Sequence, residues 1–178
     1  MKKQIENSAY SSLACPRMSA VLTCGSQRVN AITLSWHTPI SRDPPLYGVS
    51  ISPRRFSFKI VENEKEFALN FLEHKHWEKV HYCGTHTGRK EDKIIKVGFT
   101  LENCERIKTK MIAQAYANLE CKVVDQIEIG DHTLFVGRIE KCWVDDQFWE
   151  GGKLKVKPVC QLGSYSYVTT DDKSEVFP

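Results

Sequence analysis

Asn30, Thr33, Ser35 and Trp36 fall within one short run, NAITLSWH, and together they carry the groups needed to hold a flat polar ring. If Val29 to Trp36 is a strand, alternation puts Asn30, Ile32, Leu34 and Trp36 on one face and Ala31, Thr33 and Ser35 on the other. The second face offers hydroxyls. Backbone N–H and C=O groups at an unpaired strand end can bond the edge of a heterocycle, and Trp36 can cover its plane. A second set follows in YGVSISPRRFSF, where Ser50, Ser52 and Ser57 with Arg54 and Arg55 form a compact group of donors for a phosphate. Arginine suits that role because its planar fork matches phosphate oxygens, and a helix starting here adds its first N–H groups. Each piece also has a bland reading: hydroxyls decorating an edge, a tryptophan filling core, an arginine pair in solvent. The two sets lie in consecutive segments that can be spatial neighbours, which favours the joint reading.

The elements that must position these groups read as mostly antiparallel β. Segments rich in β-branched and aromatic residues recur between turn signals: MSAVLTCGS, VNAITLSWH, LYGVSIS, EFALNFL, the long MIAQAYANLECKVVDQIEIGDHTLFVGRIEKCWV, and PVCQLGSYSYV. Gly25-Ser26 and Gly130-Asp131 are placed to turn hairpins. Pro39, Pro44 and Pro45 lack an N–H, which excludes an interior strand there and predicts a projecting loop over a ligand or a neighbouring subunit. Helical signals are fewer. PRRFSFKIVENEKEF can carry one helix, capped by a serine or the preceding proline, and EHKHWEKVHYCGTH a second short one. Many strands and few helices point to a closed or nearly closed barrel.

The chain has 178 residues, which suits a single domain over 1–178. Its 25 Lys and Arg are balanced by 22 Asp and Glu, a net charge of +3 with no basic tail, and this argues against nucleic acid as a partner. Neither a signal peptide nor a long apolar run is present, so the expectation is no membrane partner and a cytoplasmic location. The seven cysteines are widely spaced, with no C-x-x-C, and read as reduced, mostly buried thiols.

Two further constellations compete. His74, His76, His81, Cys83 and His86 invite a metal, but their spacing fits no closed zinc motif, and a polar loop is the better reading. A thiol nucleophile at Cys15 or Cys121 is the other, although strand alternation pairs Cys121 with Leu119 on one face and so predicts an inert, buried thiol. No Ser-His-Asp or paired-carboxylate arrangement stands out, which disfavours hydrolysis.

From Asn30 to Leu72 the chain resembles the first half of the flavin reductase-like, FMN-binding split-barrel family, and within it the flavoredoxin branch. GTHTGRKEDKIIKVGFT resembles the family's Ser/Thr-Gly-Arg…Asp-Lys segment, AYANLECKVVDQIEIGDHTLFVGRIE its Leu-Glu-Cys strand with Gly-Asp-His, and PVCQLGSYSYV its closing Pro…Tyr element. The resemblance runs from about Leu13 to Tyr167, and four motifs in order are more specific than any one of them. It implies a six-stranded antiparallel Greek-key split β-barrel with a few short helices, forming a homodimer with FMN near the interface. By the same resemblance Asn30, Thr33, Ser35 and Trp36 surround the ring and ribityl chain, Ser57 and Arg55 meet the phosphate, and Lys93, His132 and Tyr165 approach the flavin. The residues alone leave Lys93 an ion pair with Glu91 or Asp92, and His132 a solvent-facing turn.

The implied function is a flavoprotein oxidoreductase that passes electrons from NAD(P)H or a reduced protein through FMN to an acceptor. FMN is preferred to FAD because a terminal phosphate is provided for and no adenine site is visible. No Gly-x-Gly-x-x-Gly fingerprint is present, so a nicotinamide has to stack on the flavin directly. A flavoredoxin-type electron carrier without free NAD(P)H turnover, and a flavin-binding module with no redox role, remain as alternatives.

Overall fold

The structure is a computed structural model and describes residues 2–163 and 165–171. Strands β1 (Ala20–Cys24) and β2 (Asn30–Leu34) form the first hairpin, in register from Ala20↔Leu34 to Cys24↔Asn30. Gly25 makes its turn possible: its φ is 101°, and a Cβ there would lie 2.3 Å from the Arg28 carbonyl oxygen. Next come β3 (His37–Ser41), β4 (Leu46–Ile51), helix α1 (Phe56–Glu64) and β5 (Glu66–Phe71). Helices α2 (Trp77–Thr85) and α3 (Lys93–Val97) precede the long hairpin of β6 (Ala117–Ile129) and β7 (His132–Val144).

The main sheet has the order β2-β1-β5-β6-β7-β4-β3, antiparallel at every step. Its two outermost strands are consecutive in the chain, joined only by Ser35 and Trp36. Seven strands laid flat would span about 29 Å from first to last, whereas three Cα steps reach about 11 Å. The sheet must therefore curl until its edges meet. Ser50 N–H donates to the Trp36 carbonyl at 2.9 Å, drawing the linker against β4. Register shifts in β7, between Val136 and Gly137 and between Ile139 and Lys141, mark the bulges that help such a sheet bend.

This is the mainly β barrel with few short helices that the sequence predicts, but with seven strands in place of six. The extra one is β3, which contains Pro39. It was expected as a projecting loop, yet it pairs with β4 at the sheet's edge, with Pro39 opposite Tyr47. An edge strand needs only one side of its hydrogen-bonding groups, so proline is tolerated there.

Most core strands are buried on both faces. Leu22, Ile32, Leu34, Val49, Ile51, Phe67 and Phe135 fill the barrel. Val21 and Ala31, on the outer face of β1 and β2, pack with Val80 and Cys83 of α2 and Ile94 of α3. Polar groups inside are satisfied: Asn70 donates to the Val21 carbonyl at 2.7 Å, and its oxygen accepts from Ile112 N–H at 2.7 Å. A small sheet of Arg17–Met18, Cys160–Gln161 and Tyr167–Val168 lies beside the barrel. All seven cysteines are free; Cys24, Cys83, Cys121 and Cys160 are buried, as the sequence predicts. No helix among the described residues is long and apolar enough to cross a membrane.

Candidate functional site

Where the two sheet edges meet, a seam cavity of about 310 Å³ opens, lined by Thr33, Ser35, Trp36, Ser50, Ser52, Arg55, His132 and Tyr165. An inner cavity of about 160 Å³ is lined by Asn30, Arg54, Arg55, Ser57, Gly88 and Lys93. Ile32, Arg55, Gly84 and Thr85 line both, so the two are ends of one cleft. Every residue read from the sequence as a contact to the ring or the phosphate lines one end or the other.

The inner end is built for an anion. Three cations, Arg54, Arg55 and Lys93, line it, and no Asp or Glu does among the described residues. Helix α1 begins at its wall: the N-cap, Arg55, makes no side-chain capping bond, and the first-turn residues Phe56 and Ser57 line the cavity. The expected serine or proline cap is absent, which leaves this helix start without the usual side-chain acceptor. Asn30 Nδ2 donates to Ser57 Oγ at 2.7 Å, joining the start of β2 to the start of α1. Gly88 closes over this pair. A Cβ on Gly88 would lie 2.0 Å from Asn30 Oδ1 and 3.1 Å from a ring carbon of Phe56, so the backbone approach requires glycine.

Lys93 is 4% exposed and makes neither ion pair that the sequence leaves open. Both neighbouring carboxylates are engaged: Glu91 accepts from Tyr82 Oη at 2.7 Å, and Asp92 caps α3 by accepting from Ile95 N–H at 3.2 Å. Lys93 Nζ donates to the carbonyls of Cys83 (2.9 Å) and His86 (3.0 Å) at the end of α2. Of its three N–H donors, two are used by these carbonyls. Burial holds its pKa below the usual lysine range, partly offset by the neighbouring thiols of Cys83 and Cys24 and by Glu91, while Arg55 lowers it further. An anion in the cavity would relieve that strain on the charge.

The seam end is more open. Trp36 is 38% exposed and packs on the His132 ring, centroids 4.9 Å apart. Asp131 orients His132, with Oδ1 2.7 Å from Nδ1. Thr33 Oγ1 donates to the Val80 carbonyl at 2.5 Å, and the hydroxyls of Ser35 and Ser19 share a bond of 3.0 Å. Thr33 therefore presents its lone pairs, not its proton, to the cleft. Tyr165 is 74% exposed and meets His81 edge-on at 5.7 Å.

Some expectations change with these positions. Ser50 and Ser52 belong to the seam end, apart from Ser57, because β4 ends at Ile51 and the turn into α1 carries the chain from one cavity to the other. Strand β2 ends at Leu34, so Ser35 and Trp36 belong to the seam crossing and do not continue its alternation. The histidines of the 74–86 cluster diverge: His86 stacks on Tyr82 at 3.7 Å, while His81 faces Tyr165 and Tyr167. Among the described residues no group of three metal-ligating side chains converges. Burial pushes the Cys24 thiol to about 12 and the Cys83 thiol to about 11, and raises Cys121 further, so these thiols are protonated and poor nucleophiles near neutrality. Gly84, Thr85 and Gly88 line the cleft without having been singled out; Gly88 stands inside the Thr-Gly-Arg motif, the only sequence signal for any of them.

Residues 12–155 match the flavin reductase-like domain family. The chain belongs to that family. It is 35% identical over 136 residues to an uncharacterised protein of Archaeoglobus fulgidus, covering 76% of this chain and 77% of the other. Against the NADH-dependent flavin reductase of a Rhodococcus species it is 30% identical over 119 residues, covering 66% and 62%. Two solved structures superpose over nearly all of it. The FMN-binding protein from Thermus thermophilus has a TM-score of 0.87 at 27% identity, covering 99% of this chain and 98% of that one. Flavoredoxin from Methanosarcina acetivorans has a TM-score of 0.86 at 26% identity, covering 99% and 95%. The fold is thus the split barrel of these proteins, and the resemblance read from the motifs is confirmed.

Proposed function

We propose that this protein binds FMN along the cleft, phosphate at the inner end and ring at the seam, and passes electrons from NAD(P)H or a reduced protein donor to an acceptor. The observation that carries this reading is the carboxylate-free set of buried Lys93 and exposed Arg54 and Arg55 around the start of α1, continuous with a more open cavity rimmed by Trp36, His132 and Tyr165. A phosphate dianion suits the first end and a flat, partly exposed heterocycle the second. The Thermus relative is an FMN-binding protein, which supports the same assignment.

Bound FMN would supply the hydride and electron chemistry. This chain's part is binding and orientation. Ser57 and Asn30 fix one another at the phosphate end, and Lys93 contributes charge there. Trp36 and His132 shape the ring end, while Thr33, Ser35, Ser50 and Ser52 line its polar side. The open rim leaves one route for an electron donor, so a carrier that takes electrons only from a protein is a second reading, favoured by the likeness to flavoredoxin.

Acid extraction and chromatography test the cofactor: FMN is expected, and recovery of only FAD, or no uptake from excess FMN, defeats the assignment. Anaerobic stopped-flow with NADH, NADPH and a reduced ferredoxin then separates reductase from carrier. The proposed assembly is a homodimer, supported by the exposed apolar Val124, Ile127 and Ile129 on the β6–β7 hairpin. Sedimentation of the flavin-loaded protein at micromolar concentration checks it, and a monomer would contradict it.

A further inference from the structure

Beside the seam cavity lies a separate polar recess of about 170 Å³, lined by Ser11, Ser12, Cys15, Arg17, Trp36, Gln161 and Gly163. Trp36 and Gln161 also line the seam cavity, so the recess opens alongside the ring end and away from the inner cations. Among the described residues Arg17 is its only cation, and no acidic side chain lines it. Backbone pairing of Arg17 with Gln161 fixes its place, and Nη1 donates to the Ala14 carbonyl at 3.3 Å. Its Nε is buried without a hydrogen-bond partner. A buried guanidinium N–H with no acceptor is destabilising unless something supplies one. The hydroxyls of Ser11 and Ser12 stand in the same recess, where they can serve an anionic oxygen.

We propose that this recess receives the diphosphate bridge of a nicotinamide dinucleotide while the nicotinamide enters the seam cavity past Trp36. The inference rests on the flavin reading above. That reading gives the inner cations to the FMN phosphate, and the sequence has no glycine-rich fingerprint for a second phosphate group. Arg17 offers the planar fork that a diphosphate needs, on the ring side of the cleft where a donor must arrive. Trp36 and Gln161, common to both cavities, are where the two parts of the donor would join.

The test is equilibrium binding to the FMN-loaded protein, followed by quenching of tryptophan fluorescence, with NAD+, ADP-ribose and nicotinamide riboside as probes. Arg17→Ala should weaken NAD+ and ADP-ribose by about tenfold or more, the loss of a charge-assisted contact. Nicotinamide riboside, which has no phosphate, should bind both proteins alike, and FMN affinity should not change. Arg17→Lys should fall between the two, keeping the charge and losing the fork. NAD+ affinity indifferent to Arg17→Ala, or no NAD+ binding by a protein that holds FMN, overturns the recess and leaves the flavin site standing. A protein that takes up no FMN overturns the flavin reading and this inference with it. Equal weakening of all three probes would mark Arg17 as structural and also overturn the proposal.

Discussion

The two ends of the cleft are built differently. At the inner end the deepest polar groups are already held by others, Asn30 by Ser57 and Lys93 by the carbonyls of Cys83 and His86, with Asn30, Ser57 and Lys93 buried while Arg54 and Arg55 stand exposed at its mouth. At the seam end Trp36 and Tyr165 stand partly or largely in solvent, Trp36 tilted against His132 and Tyr165 edge-on to His81. A braced, charged end suits a group that stays, since little ordering remains to be done on binding. The open end suits a group that must be reached by something else. If that contrast is real, damage at the inner end should cost affinity, and damage at the seam should cost little of it.

The largest effect is expected from Gly88→Ala. The new methyl would overlap Asn30 Oδ1, and Asn30 cannot move without breaking its bond to Ser57. Overpacking of this kind costs about 1–3 kcal/mol, and the upper part of that range is roughly a hundredfold in affinity if it is expressed at the phosphate. Titrating apo-protein with FMN by flavin fluorescence reads it, with thermal unfolding alongside to separate stability from binding. Near-normal FMN affinity in Gly88→Ala would mean that the inner cavity is not the phosphate site.

Lys93→Ala comes next, removing a charge-assisted contact worth about 1.5–3 kcal/mol, or tenfold and more in FMN affinity. Lys93→Arg should recover part of the loss. The same residue gives the site a pH dependence whose sign follows from its lowered pKa. Between that value and the ordinary lysine range the unfolded chain binds the proton that the folded, empty protein releases, so stability of the apo form rises with pH there. A bound phosphate restores the charge and takes up a proton in that window, so FMN affinity falls as pH rises through it. In Lys93→Met that alkaline fall should vanish; its persistence would show that another group titrates.

What the sequence disclosed and what it hid divide along physical lines. The hairpins at Gly25 and Gly130 were legible because turn chemistry and alternation are local. So was the start of α1, where Pro53 and the arginines punctuate the chain. Strand β3 was not, because Pro39 excludes an interior strand, and only the assembled sheet shows that an edge was available. Lys93 was legible as a charge, but not in its use: its acceptors, Cys83 and His86, are set by how α2 and α3 pack. The seam-end hydroxyls were visible by type, but tertiary contacts decided that Thr33 donates its proton to the Val80 carbonyl. Arg17 carried no local signal, since its recess exists only where the small sheet meets the seam.

The smallest effect on FMN affinity should come from Trp36→Ala, and this substitution tests the comparison from the other side. Trp36 is 38% exposed, and its ring contacts His132 in place of a packed core. Removing an aromatic contact of that kind costs about 0.5–1.5 kcal/mol, which is roughly two- to tenfold in affinity and less than the loss expected at Lys93. Trp36→Phe should be nearly neutral because the flat apolar face survives. The FMN titration used for Lys93 measures both, and their order decides the matter. If Trp36→Ala costs more than Lys93→Ala, affinity resides in the ring and Lys93 serves only to cap the terminal carbonyls of α2. If the order is as expected, the cleft holds its cofactor by the phosphate and leaves the ring face free for exchange.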